Sequence, residues 1–243
     1  LGFVWLEELG LGDRPRALVI PVASVENHGV LPAGSDVIIA RCFLERLAAR
    51  LRGMRFLVAG APPVPYSVAV EHEALGYTVT ADAQSFLSYL TGVLASAARL
   101  AQRVYVPVMH GGAYSVAYAA ARAARRRSGS LIRVYSFWDA VARALQEHGV
   151  PPYPIHADPV EASILAACGS TRGVEVAEPE TVLEEARRRA ERLRGLPLPW
   201  LGEDAADLLY PTAAVPASPS LGEELLGKAV EELASVIEGD LSG

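Results

Sequence analysis

Apolar residues fall into two rhythms along this chain. Continuous apolar runs at 17–22, 55–59, 103–108 and 131–135 have the length of buried strands. Between them the spacing turns helical. It does so after Asp36 as far as Gly53, from Asp82 to Leu100, from Tyr114 to Arg127 and from Trp138 to Glu147. Asp36 is a plausible N-cap for the first of these helices. Asp158-Pro159-Val160-Glu161 is a helix start, with Asp at the cap, Pro at the first position and Glu at the third, and this helix runs to about Cys168. A charge-laced helix spans 180–193, and a closing helix spans 221–237. The Pro- and Ala-rich stretch 197–219 is expected to wander over the surface. Strands alternating with helices of ten or more residues imply an α/β fold, a mostly parallel sheet covered on both faces. No repeat or linker divides the chain, so residues 1–243 are expected to form one domain.

Composition narrows this picture. Hydrophobic residues make up 51% of 243 residues, enough for a sizeable core. The net charge is −6, and the densest basic run, Arg125 to Arg127, sits at a helix end, so no nucleic-acid partner is expected. No apolar run reaches the ~18 residues of a membrane span, and no signal peptide is visible, so a cytoplasmic location is expected. Cys42 and Cys168 lie far apart in apolar helical patterns and read as buried core thiols rather than ligands or a disulfide. Asn27 is the only asparagine and Lys228 the only lysine. Depletion of thermolabile amides points to a hot-living source, although codon bias explains the arginine excess equally well.

Candidate chemistry collects in the loops that follow the strands. The run at 17–22 breaks into a polar loop carrying Glu26 and His28, and Asp36 follows after a Gly/Pro turn. The run at 103–108 ends in Met109-His110-Gly111-Gly112. His72 and His156 lie in two further loops, and only His148 of the five histidines sits in a plain helix tail. In parallel α/β sheets the ligand site lies outside the carboxyl ends of the strands, so these loops should converge. Carboxylates and imidazoles together suit zinc, manganese or iron, and a shared carboxylate can bridge two such ions. A lone histidine is more often a satisfied structural residue. Four histidines in strand-end loops beside Glu26, Asp36 and Glu161 favour a metal site.

The order of these pieces resembles the creatininase family, the creatinine amidohydrolases. Glu26-Asn27-His28-Gly29, Leu31-Pro32 and Asp36 match its opening segment, and Tyr66 with Glu71-His72 matches the next. Met109-His110-Gly111-Gly112-Ala113 stands for its Gly-His-Gly-Gly-Asn loop. His156-Ala157-Asp158-Pro159-Val160-Glu161-Ala162-Ser163 stands for its last motif, and Val215-Pro216-Ala217-Ser218 with Leu221-Gly222 for its closing segment. In creatininase itself a carboxylate stands two residues after the loop histidine, whereas this chain has Gly112 there, as most of the wider family does. Ala113, Asp158-Pro159, Ala69 and Gly76-Tyr77 also depart from the pattern.

The resemblance implies a three-layer α/β/α hydrolase, often hexameric, that holds two divalent metal ions (Zn, Mn or Fe). Glu26 and His110 would hold one ion and His28 the other, with Asp36 bridging and Glu161 as a fifth ligand. Glu161 also has a plain structural reading, as half of a capping box with Asp158. His156 and Glu161 would be the catalytic residues, with His156 handling protons. His72, Tyr77, Gly111 and Gly112 would meet the substrate. The implied reaction is cleavage of a C–N bond in a small cyclic amide or formamide by metal-activated water. One branch of the family deformylates a ribosylaminopyrimidine phosphate. The competing reading is a catalytically silent metal-binding or scaffold protein of the same fold.

Overall fold

The apolar runs form parallel strands, joined by one more at the N-terminus. The computed structural model describes residues 2–10, 13, 15–194 and 205–242. Its main sheet contains β1 (Gly2–Trp5), β2 (Ala17–Val19), β3 (Leu57–Gly60), β4 (Arg103–Val108) and β5 (Leu131–Ser136), in the order β1-β3-β2-β4-β5. Every pair is parallel. The run at 17–22 is a regular strand only to Val19. Pro21 has no N–H to give a ladder, and beyond it Val22 makes isolated bridges to Val64 and Val108.

Alternation along the strands divides the interior in two. Ala17, Val19 and Tyr105 enter one core, while Leu18, Val104, Val106 and Val108 enter the other. The first core is closed by α1 (Ser35–Arg50), α4 (Phe137–Glu147), α5 (Pro159–Ala167), α6 (Pro179–Leu193) and α8 (Pro219–Ser242). The second is closed by α2 (Ala83–Leu100) and α3 (Tyr114–Ser128). α3 presents Ala117, Ala120, Ala121 and Ala124 at helical spacing, a smooth stripe that lets it pack closely. This is the three-layer α/β/α arrangement with a parallel sheet that the alternation predicts.

Several expectations are corrected. Asp36 is not a cap: α1 starts at Ser35, and Asp36 lies inside its first turn with its side chain turned to the loops. The short β1 was not expected, because four residues at a sheet edge leave little pattern. Of the stretch 197–219, residues 197–204 lie outside the described part. The remainder is ordered by packing: α7 (Ala206–Leu209) buries Leu208 and Leu209, and β7 (Val215–Ala217) pairs in parallel with β6 (Val174–Val176). Cys42 and Cys168 are not free thiols. They form a disulfide with Cα atoms 5.7 Å apart across 126 residues of sequence. α1 and α5 lie against the same face of the sheet, a proximity that spacing along the chain does not reveal.

Candidate metal centre

The chain leaves β2 for β3 on one side, then returns to add β4 on the other side of β2. The two loops that open this crevice, after β2 and after β4, carry Glu26, His28 and His110. Asp36 comes from the first turn of α1, and His72 from a 3-10 turn at Val70–Leu75. His156 precedes α5, and Glu161 lies in the first turn of that helix. All seven side chains are buried.

Ring orientation is set by the backbone. His28 Nδ1 lies 3.0 Å from the Glu26 carbonyl oxygen, which can only accept, so Nδ1 carries the proton. Nε2 then faces Glu161 Oε1 at 3.2 Å, two groups that repel unless a proton or cation lies between them. Burial alone would lower the His28 pKa, but Glu161, Glu26 and Asp36 raise it to about 10. On the other side of Glu26, His110 Nδ1 lies 2.9 Å from Glu26 Oε2 and 3.7 Å from Asp36 Oδ2. Burial and the Glu26 charge push Asp36 up to about 8. Burial would raise Glu26 too, but His110, His28 and His72 outweigh it and hold Glu26 well below the usual carboxylate range. Ser24 Oγ donates to Asp36 Oδ2 at 2.7 Å and fixes its rotation.

Glu161 divides its two oxygens between roles. Oε2 accepts the Ala157 N–H at 2.6 Å, and Asp158 Oδ1 accepts the Glu161 N–H at 2.9 Å, so the helix start is capped as the sequence suggests. Oε1 is left over, buried and without a hydrogen bond. Cap and candidate ligand are therefore the same side chain.

His156 Nε2 lies 2.9 Å from the Asn27 carbonyl oxygen and so carries its proton there, leaving Nδ1 bare, 3.5 Å from Glu26 Oε1. Burial first, then the neighbouring His28 and His72, hold its pKa well below 6.5, so the ring is neutral. His72 stacks on His156 with ring centroids 4.1 Å apart, and its Nδ1 bonds Tyr210 Oη at 2.6 Å.

Glu26, Asp36, His72, His110, His156 and Glu161 line a cavity of about 760 Å³ with Gly111, Gly112 and an apolar wall that includes Trp138, Ile155 and Val70, while His28 is not part of its lining. Tyr77 is not brought to it: it is 86% exposed, on a turn with φ +57°, and is absent from the cavity wall. Glu71 and Trp138 line the cavity although the sequence reading gives them no role, and Tyr210 stands behind His72. Glu71 had a signal, since it adjoins His72 in a recognised motif. Trp138 and Tyr210 had none, because only packing brings them near.

The residues fit bound cations. Three buried triads place a potential ligand atom from each member within 4.8 Å of one another: Glu26-His28-His156, Glu26-His72-His110 and His28-Asp36-Glu161. Glu26 Oε2, His28 Nε2 and Glu161 Oε1 are buried without a hydrogen bond, which is rare unless an ion or water completes them. An oxygen and imidazole donor set suits Zn²⁺, Mn²⁺ or Fe²⁺.

Comparison with known proteins agrees. The family model for creatininase, creatinine amidohydrolase, matches residues 5–237. No curated protein matches the sequence closely. Among solved structures, creatinine amidohydrolase (creatininase) is similar with a TM-score of 0.72 at 19% identity, over 98% of this chain and 97% of that one. A creatininase described as Mn has a TM-score of 0.70 at 19% identity, over 98% of each chain. A mutant creatininase of Zn-Zn type has a TM-score of 0.68 at 19% identity, over 97% of each. A family match of that span places the chain in the creatininase family of amidohydrolases.

Proposed function

We propose that the chain hydrolyses the C–N bond of a small cyclic amide or formamide with the help of two divalent cations. The observation that carries this reading is the pair His28 Nε2 and Glu161 Oε1, facing each other at 3.2 Å in a buried site whose hydrogen bonds they leave unmade. Glu26, Asp36 and His110 would hold one cation, and His28, Asp36 and Glu161 the other. Such cations, when bound, polarise a carbonyl oxygen and make water nucleophilic at neutral pH. The neutral His156 has its free Nδ1 on the site, where it takes a proton from the attacking water. It then delivers that proton to the departing nitrogen as the C–N bond breaks. Gly111 lines the cavity with open space where a side chain would stand, so the backbone there is accessible to a developing oxyanion.

The wall suggests the class of substrate. Among the described residues lining the cavity there is no arginine or lysine, and the carboxylates Glu26, Asp36, Glu71, Asp139 and Glu161 line it. That favours an uncharged cyclic amide over a phosphorylated ribotide. The test is elemental analysis of wild-type and Glu161→Gln protein after reconstitution with zinc or manganese, together with a panel of cyclic amides and formamides. Gln keeps an oxygen for the Ala157 N–H, so the helix start should survive. The expected result is one metal equivalent fewer in the variant and a parallel fall in hydrolysis. Reconstituted wild-type protein that retains no metal would end the reading. A metal-loaded protein that hydrolyses none of the panel would point to the silent scaffold instead.

A further inference from the structure

Two carboxylates of the cavity lining, Glu71 and Asp139, lie outside the ligand set, and Glu71 is the one beside a ligand histidine. Glu71 reaches in from the 3-10 turn at Val70–Leu75, and its Oε1 stands 3.2 Å from His110 Nε2. The opposite nitrogen of that ring, Nδ1, faces Glu26 and Asp36. Glu71 can occupy this place because position 112 is glycine. A Cβ there would stand 1.8 Å from Glu71 Oε1 and 2.6 Å from His110 Nε2. The loop after β4 carries no carboxylate, and one from a different loop fills the space beside its histidine.

We infer that Glu71 is the positioning residue for His110. Its carboxylate stands 3.2 Å from Nε2, where it would accept an Nε2–H and so fix the tautomer whose Nδ1 lone pair points at Glu26 and Asp36. A carboxylate behind a metal-binding imidazole fixes its orientation and raises its basicity, and losing such a partner typically weakens metal binding about 10–100-fold. Gly112 is then part of the same device, since any side chain there would drive Glu71 off the ring. The inference rests on the metal-centre reading.

The experiment compares wild-type, Glu71→Ala and Glu71→Gln protein. Zn²⁺ affinity is measured by competition with a chromophoric chelator, and the His110 tautomer by ¹⁵N NMR of the zinc-loaded protein. Melting of each metal-free form is recorded beside the affinity, so that a loss of fold is told apart from a loss of metal binding. Glu71→Ala should bind Zn²⁺ about 10–100-fold more weakly and lose the protected Nε2–H signal. Glu71→Gln, whose amide oxygen still accepts that proton, should stay near wild type in both. Wild-type affinity in Glu71→Ala would overturn the inference. So would a loss in Glu71→Gln equal to that in Glu71→Ala, because the charge or direct ligation would then be what matters. Wild-type protein that binds no Zn²⁺ would instead bring down the metal centre on which the inference stands.

Discussion

At the scale of single residues, the site is a set of groups held in protonation states they would not choose in water. His28 is raised to about 10 by Glu161 and Glu26 against the pull of burial, and Asp36 to about 8 by burial and Glu26. Both therefore carry a proton at neutral pH when no cation is present. A cation needs the His28 Nε2 lone pair and the Asp36 carboxylate, so binding expels both protons. The sign follows: affinity should rise with pH, most steeply below about 8 and more shallowly from there to about 10. Calorimetry in buffers of different ionisation enthalpy should record at least two protons released per site filled near pH 7. Affinity that does not change between pH 6 and 8 would contradict this. The residue types were legible in the sequence as candidate ligands. The division of Glu161 into one capping and one free oxygen was not, because it depends on which way a single carboxylate turns.

At the scale of elements, α5 carries the decisive geometry. Asp158 caps it, and Glu161 and His156 are delivered by its first turn and the loop before it. Its position is set from behind by α8. Gly222 lies so close to α5 that a Cβ there would stand 2.0 Å from the Ser163 carbonyl oxygen, and Ser218 N–H donates to Ser163 Oγ at 2.8 Å. Gly222→Ala must push backbone against backbone. It should destabilise the fold by about 1–3 kcal/mol, as overpacking does, and also weaken metal binding by moving Glu161. Denaturant unfolding together with metal titration checks both halves, and unchanged stability would rule out the close packing. This contact gives the closing segment, Val215-Pro216-Ala217-Ser218 with Leu221-Gly222, a physical meaning that its sequence alone does not state.

At the scale of the whole molecule, two cores on either side of a parallel sheet leave the loops at its carboxyl edge to form the cavity. Among the described residues, no helix is long and apolar enough to cross a membrane. The disulfide ties α1, which carries Asp36, to the far end of α5, which carries Glu161. We propose a homo-oligomer, a hexamer. The apolar, Pro-rich segment 197–219 is one that a lone domain would be expected to leave partly exposed, but its described part buries Leu209, Val215 and Ala217 within the chain. Exposed apolar side chains recur instead along one stretch of chain, at Tyr66, Val70, Leu75, Tyr77 and Val79, and Val70 also lines the cavity. Exposed apolar side chains concentrated in one segment are what an interface would cover. Light scattering at micromolar concentration should report the assembly, and a monomer would count against it. Tyr77, absent from the cavity wall of its own chain, is the most exposed of them.

By itself the sequence determined the alternation of strand and helix, the loops that carry the chemistry and the residue types in them. Those are local properties: a buried strand needs an apolar run, a helix needs its period, and ligands need imidazoles and carboxylates. Only the tertiary structure decided the rest. It joined Cys42 to Cys168, tied β7 to β6 and turned Asp36 from a cap into a member of the site. It also placed Glu71 behind His110 and Tyr77 on the outside. Each of these depends on a distance between residues far apart in the chain, and distances across a fold are fixed by how the two cores pack rather than by any pattern within a segment.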